Sequence, residues 1–141
     1  QLSREALQVD RHNLLHPERP EKQAYVQQLL AAETGVFVAA SDYMKVIPMS
    51  IEKWIPGRYT VLGTDGFGLS ESRPDLRKHF EVSAEYIAYA AATALYKEGL
   101  LPLKELKTMA KKLDIEKMKL EKFLGTTKLE QKKTLKHSCL T

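Results

Sequence analysis

The spacing of apolar positions changes several times along the chain, and each change marks an element. Over residues 3–15, Ala6, Leu7, Leu14 and Leu15 form a loose helical stripe. It ends at His16-Pro17-Glu18-Arg19-Pro20, because a helix cannot continue through two prolines so close together. Residues 21–32 form a second amphipathic helix with Tyr25, Val26, Leu29 and Leu30 inward. Gly35 then opens Val36-Phe37-Val38-Ala39-Ala40, a continuous apolar run of the kind found in strands buried on both faces. Ser41 or Asp42 caps a helix over residues 43–54 that carries Met44, Ile47, Ile51 and Trp54, with Pro48 in its first turn or kinking it. Pro56-Gly57 ends that helix, and Tyr59-Thr60-Val61-Leu62 reads as a second buried strand. Strand, helix and strand in this order predict a right-handed βαβ unit with parallel strands.

Beyond the second strand the pattern is helical. Ser72 caps a helix with Pro74 near its start, a favoured place for proline. Residues 83–98 are alanine-rich and strongly helical, with Ser83 as N-cap and Gly99 as the stop. Further helices are expected over residues 102–112 and from about Asp114. Between the second strand and these helices lies Gly63-Thr64-Asp65-Gly66-Phe67-Gly68, whose glycines predict a tight strand-to-helix turn. In parallel sheets such turns lie at the carboxyl ends of strands, where ligands and partner domains dock.

The longer string Leu62-Gly-Thr-Asp-Gly-Phe-Gly-Leu-Ser-Glu-Ser-Arg-Pro-Asp-Leu-Arg-Lys-His-Phe-Glu-Val82 resembles the carboxyl-terminal domain of homodimeric bacterial pyruvate dehydrogenase E1. Ala40-Ser-Asp-Tyr-Met-Lys45 and Asn13-Leu-Leu-His-Pro17 resemble two further blocks of that family, in the same order, and the likeness runs over residues 7–122. The family usually has arginine after GFG and aspartate two residues later, where this chain has Leu69 and Glu71. That departure removes any ion pair the arginine makes and leaves the turn intact.

The resemblance implies an α/β fold, the three-layer sandwich of transketolase carboxyl-terminal-like domains. In the family its mixed sheet has about five strands, an ordinary sheet size. Matching the blocks places the start of this chain inside the helix after the second of those strands, so the first strands are missing and several helices close the domain. Two strands alone make a marginal sheet with open edges, which favours a dimer or strand exchange. Residues 1–123 are expected to form this partial domain and residues 124–141 a poorly ordered basic tail, of the kind an expression scar or read-through leaves.

The resemblance also carries a function. Pyruvate dehydrogenase E1 uses thiamine diphosphate and Mg²⁺ to decarboxylate pyruvate, and passes the two-carbon unit to a lipoyl group on the E2 acetyltransferase. The ligands of that cofactor lie in the two preceding domains, and the metal-binding Gly-Asp-Gly…Asn pattern does not occur here. The implied role is a structural and dimerisation domain of a cytoplasmic oxidoreductase of glycolytic carbon flow. The expected partners are the remaining E1 domains, a second E1 subunit and E2, with no catalytic, cofactor-binding or metal-binding residue in this chain. A stand-alone module that docks E1 or E2 is the alternative, marked by an exposed apolar patch around residues 88–96. A transketolase-like carboxyl-terminal module is a third reading, which the SDYMK and TDGFG blocks argue against. An independent small hydrolase has the least support.

Composition adds limits. A chain of 141 residues allows one domain. No apolar run is long enough to span a membrane, and no signal peptide opens the chain, which begins at Gln1 as a fragment or a processed product would. The single cysteine, Cys139, forms no internal disulfide and fits a reducing cytoplasm. The net charge of +4 divides unevenly: residues 1–100 carry −2 and residues 101–141 carry +6. No aromatic residue interleaves the lysines after Phe123, so a solvated face and a loose tail describe the basic end better than nucleic-acid binding.

Candidate chemistry is sparse. His12 and His16 have the i, i+4 spacing of a metal-binding pair, without a third ligand nearby, so a helix-end structural role is preferred. Lys136-His137-Ser138-Cys139 offers at most opportunistic metal binding, and His79 reads as a packing or capping residue. Asp42 and Asp65 each follow a strand and could converge as paired carboxylates, although capping of the following turn is the commoner role. No nucleophile elbow, P-loop or GxGxxG turn is present.

Overall fold

The computed structural model describes residues 1–66 and 68–115. The elements run α1 (Leu2–Leu15), α2 (Tyr25–Leu30), β1 (Phe37–Ala40), α3 (Val46–Met49), a 3₁₀ turn (Glu52–Trp54), β2 (Tyr59–Leu62), α4 (Arg73–His79), α5 (Ala84–Lys97) and α6 (Leu103–Lys112). β1 and β2 pair in parallel, with Phe37 opposite Tyr59 and Ala40 opposite Leu62. An α/β fold with a small parallel sheet is thus what the chain adopts. Among the described residues both strands are edge strands.

Two packing groups hold the elements. In the first, α1 and α2 close on the segment between the strands: Ala6, Ala24, Val26 and Trp54 are buried together, with Leu30, Ile51 and Ile55 against them. Asn13 ties the hairpin between these helices, its carboxamide donating to the Lys22 carbonyl at 2.8 Å and accepting the Lys22 N–H at 3.0 Å. The Gln27 side chain accepts the Ala24 N–H and closes the start of α2. In the second group α5 packs on both strands and on α6. Tyr86, Ala92 and Ala94 of α5 and Leu106 and Ala110 of α6 are buried there.

Helix ends follow local chemistry. Ser72 caps α4, its hydroxyl accepting the Asp75 N–H at 3.4 Å, and Pro74 sits in the first turn. Ser83 occupies the N-cap of α5, but its hydroxyl donates to Glu85 at 2.6 Å instead of accepting a backbone N–H. Gly99 stops α5 at φ +75°, with Leu100 N–H reaching back to the Leu95 carbonyl. Past the end of α6, Asp114 takes φ +51°, and its carboxylate pairs with Lys78 at 3.2 Å.

Several expectations need correction. α2 covers Tyr25–Leu30 only, and Tyr25 and Leu29 face outward at 55% and 59% exposure. The helix expected over residues 43–54 is two pieces, a single turn and a 3₁₀ turn. Pro48 lies in the first of these, as its fixed φ allows. The strands are half-buried, not buried on both faces. α5 packs on both strands, and among the described residues no other helix makes comparable contact with the sheet. The glycine-rich segment does not lead straight into a helix: β2 ends at Leu62 and α4 begins only at Arg73, a longer connection than a tight turn. The exposed apolar patch around residues 88–96 that would mark a stand-alone module is not prominent, because α5 packs on the sheet and α6 there. Exposed apolar side chains gather on α1, on α2, and on α3 with the two residues Tyr43 and Met44 before it. The short helix expected from Asp114 onward and the basic tail of residues 124–141 lie outside the described residues.

Candidate functional site at the carboxyl edge of the sheet

The chain leaves β1 through residues 41–45 and β2 through residues 63–66, and these two exits lock together. Ser41 N–H continues the ladder to the Leu62 carbonyl at 3.0 Å. Thr64 then bonds twice across the gap: its N–H donates to the Tyr43 carbonyl and its hydroxyl to the Asp42 carbonyl, both at 3.0 Å. Ser41 does not cap a helix. Its hydroxyl accepts the Tyr43 N–H at 3.0 Å and shapes the turn.

Gly63 is what lets the exits meet. A Cβ there would lie 2.8 Å from the Tyr43 carbonyl oxygen, 2.8 Å from Lys45 Cγ and 3.0 Å from Lys45 N. Its role is close approach of two backbones, which only glycine permits here.

The two carboxylates expected to converge do different things. Asp65 Oδ1 accepts the Lys45 N–H at 3.0 Å, and Oδ2 lies 3.5 Å from Lys45 Nζ. Asp65 therefore caps the turn after the other strand, not the one after its own. Asp42 lines a cavity of about 280 Å³. That cavity also receives Thr64, Leu69, Arg73, Arg77 and Phe80, while Asp65 is not among its lining residues. Its ionisable lining residues are Arg73 and Arg77, four residues apart on α4, and Asp42. Such an arrangement supports contacts with a polar protein surface. It contains no nucleophile and base within reach of each other. Sequence reasoning overlooked Lys45, Arg73 and Arg77; the signal for Lys45 was its place at the end of the SDYMK block.

Loss of Asp65 is therefore expected to act on folding. Asp65→Ala removes the acceptor for the Lys45 N–H and should lower stability by about 1 kcal/mol, the usual cost of a lost cap. Urea unfolding of the variant beside the parent chain measures this.

The remaining candidates fall elsewhere. His79 packs edge-on against Phe80 with ring centroids 5.0 Å apart, and it borders a second cavity of about 230 Å³ beside Glu71 and Asp75. His12 and His16 lie 4.8 Å apart, their rings inclined at 46°, and His16 Nδ1 is 3.4 Å from Glu18. His12 Nε2 is buried without a hydrogen-bond partner. Among the described residues no three His, Cys, Asp or Glu side chains are grouped to hold a metal ion. Cys139, Lys136 and His137 lie outside the described residues.

Two titrating groups at α1 give a pH dependence. Burial, then the nearby Lys22, His16 and Arg19 charges, push the His12 imidazole below its ordinary 6.5. Hydrogen bonds from Lys53 and Trp54 hold the Asp10 carboxyl below its ordinary 3.8. In both cases the unfolded chain takes up a proton that the folded chain resists, so stability rises with pH. The His12 contribution is complete above about pH 6.5 and is lost as pH falls through its depressed folded value; that of Asp10 is complete above about pH 3.8 and is lost below it. Urea midpoints measured from pH 8 to pH 5 are expected to fall, and His12→Gln should flatten that slope.

Comparison with known proteins converges on one group. A family model described as a transketolase-like TK C-terminal domain matches residues 4–83. The pyruvate dehydrogenase E1 component of Pseudomonas aeruginosa is 45% identical over 100 residues, 70% of this chain and 11% of that protein. The Haemophilus influenzae component is 47% identical over 100 residues, again 70% of this chain and 11% of the relative. The Mycolicibacterium smegmatis component is 39% identical over 99 residues, with the same two shares. The chain thus spans about a tenth of the length of these curated relatives.

Proposed function

The chain belongs to the family of transketolase-like TK C-terminal domains, and from that membership we propose that it is the assembly domain of a pyruvate dehydrogenase E1. In this reading residues 1–123 form the domain. The enzyme it serves is dimeric and cytoplasmic, uses thiamine diphosphate and Mg²⁺ to decarboxylate pyruvate, and passes the acetyl unit to the lipoyl group of E2. The domain packs on the other E1 domains and contributes to the dimer.

The observation that carries this reading is the use made of the carboxyl edge. At the position where α/β proteins usually place a ligand, this chain joins its own two loops through Gly63, Thr64 and Asp65. The residues present do not fit thiamine diphosphate. A diphosphate with its metal needs several oxygen ligands around the ion. Here Asp65 is held by Lys45, and Asp42 lines a cavity whose other ionisable lining residues are Arg73 and Arg77. When bound, the cofactor supplies the carbanion chemistry in the parent enzyme, and this chain's residues hold structure. The described residues also include no helix long and apolar enough to cross a membrane. Open strand edges on both sides of the sheet leave backbone groups for neighbouring strands to complete.

A chimaera tests the proposal. The matched segment of the full-length Pseudomonas aeruginosa enzyme is replaced by this chain, with and without Asp65→Ala. The expected result is a dimeric enzyme that turns over pyruvate, and an Asp65→Ala form that loses stability or assembly in step with activity. An Asp65→Ala form that is stable, dimeric and chemically dead contradicts the proposal.

A further inference from the structure

The segment between the strands turns its apolar side chains away from its own core. Lys45 and Pro48, three residues apart, are the half-buried members of residues 43–49. Lys45 meets Asp65, and the Pro48 carbonyl accepts the Tyr59 hydroxyl at 3.0 Å. The other five, Tyr43, Met44, Val46, Ile47 and Met49, are 44–60% exposed. Met44, Ile47, Ile51 and Trp54 are spaced as one helical stripe, yet only its second half is covered. Trp54 is 6% exposed, whereas Ile47 is 57% exposed. The break between α3 and the 3₁₀ turn swings the first half outward.

A single helical turn has no stability of its own. This one is fixed by the Asp65 cap, the Thr64 bonds, the Tyr59 hydroxyl and the close approach at Gly63. The backbone that carries its apolar side chains is therefore fixed before anything covers them, which reduces the ordering cost of docking. The patch carries no net charge, since Lys45 is matched by Asp65.

We propose that residues 43–49 are the surface through which this domain docks on the other domains of its own E1 polypeptide, against an apolar and uncharged protein face. The proposal rests on the assembly reading above. Patch size selects this occupant over a second copy of the chain. Five half-exposed side chains of this kind offer on the order of 500 Å², or about 1,000 Å² counted over both partners, below the roughly 1,600 Å² total of a free-standing complex and within the roughly 600–1,500 Å² of contacts between domains of one chain. Covalent linkage supplies the effective concentration that so small a patch lacks. The relatives are long enough for this: about nine tenths of the Pseudomonas aeruginosa protein lies outside the matched segment.

The test compares maleimide labelling of Ile47→Cys and, separately, Met49→Cys in this chain and in the chimaera, with the modified site read by peptide mass spectrometry. Labelling is expected to be at least tenfold slower in the chimaera at both positions. Equal labelling in a chimaera that is dimeric and active overturns the proposal and leaves the assembly reading standing. Protection that already exists in the free chain and grows with its concentration identifies a second copy as the occupant and also overturns it. A chimaera that folds but neither assembles nor turns over pyruvate overturns the assembly reading and the proposal together.

Discussion

Trp54→Ala is expected to destabilise the chain by about 3–5 kcal/mol, the usual cost of emptying a buried aromatic site. Trp54 is the largest side chain among the buried hydrophobic residues, at 6% exposure, and it joins two parts of the molecule distant in sequence. Its ring packs with Ala6 of α1 and with Ala24 and Val26 around the start of α2. Its indole N–H donates to Asp10 Oδ1 at 3.1 Å, and Asp10 is also paired with Lys53. The buried partners Ala6 and Ala24 are small, and Leu30, Ile51 and Ile55 at the rim are only partly buried, so the space is refilled incompletely. No large side chain among the described residues is fully buried, so little elsewhere offsets the loss. A domain of ordinary stability, about 5–15 kcal/mol, then loses a large share of it. Thermal unfolding followed by far-ultraviolet circular dichroism should show the melting point falling by at least roughly 10 °C. Ile47→Ala, on the same sequence stripe, is expected to stay within about 0.5 kcal/mol of the parent in the free chain, because its side chain is already in water. If both substitutions cost the same, the division of that stripe between core and surface is wrong.

Gly63→Ala is the second large effect. The added methyl would stand 2.8 Å from the Tyr43 carbonyl oxygen. That oxygen is not free to retreat, because it accepts the Thr64 N–H at 3.0 Å, and Thr64 is also bonded to Asp42. Lys45 Cγ can move, but Lys45 N is held by Asp65. Relief must come from separating the two strand exits, at an expected cost of about 1–3 kcal/mol. Hydrogen exchange distinguishes this from a general loss of packing. The amides of Thr64 and Lys45 should lose protection first, while those in the middle of α5 keep theirs. Gly68→Ala is the control: a Cβ there has open space around it, so little change is expected.

Much of this architecture was legible because its signals are local. Proline and glycine at residues 17, 20, 56, 57 and 99 mark ends that the structure respects within a few residues, and Ser72 with Pro74 announces α4 directly. β2 is found at the expected residues, and the parallel pairing followed from strand, helix and strand in that order. What the sequence concealed depends on distant contacts. The helix expected over residues 43–54 divides because Asp65, twenty residues away, fixes Lys45 at one end while Trp54 is drawn into the core of α1 and α2 at the other. Residue periodicity contains neither constraint. Burial of the strands was overestimated for a related reason: continuous apolar runs imply cover on both faces, and the described residues provide close cover on one. The same excess of apolar pattern over actual burial reappears at Met44 and Ile47, and there it locates the proposed docking face. At the carboxyl edge, proximity of Asp42 and Asp65 could be anticipated from the strand ends. Their division of roles could not, because it depends on which carboxylate reaches the Lys45 N–H.

The central claim is that this domain shapes and assembles an enzyme whose cofactor is held elsewhere. Calorimetric titration of the purified chain with thiamine diphosphate in the presence of Mg²⁺ tests it most directly. The account predicts no saturable heat of binding. Saturable binding at one site per chain would contradict it and return Asp42 and Asp65 to consideration as ligands.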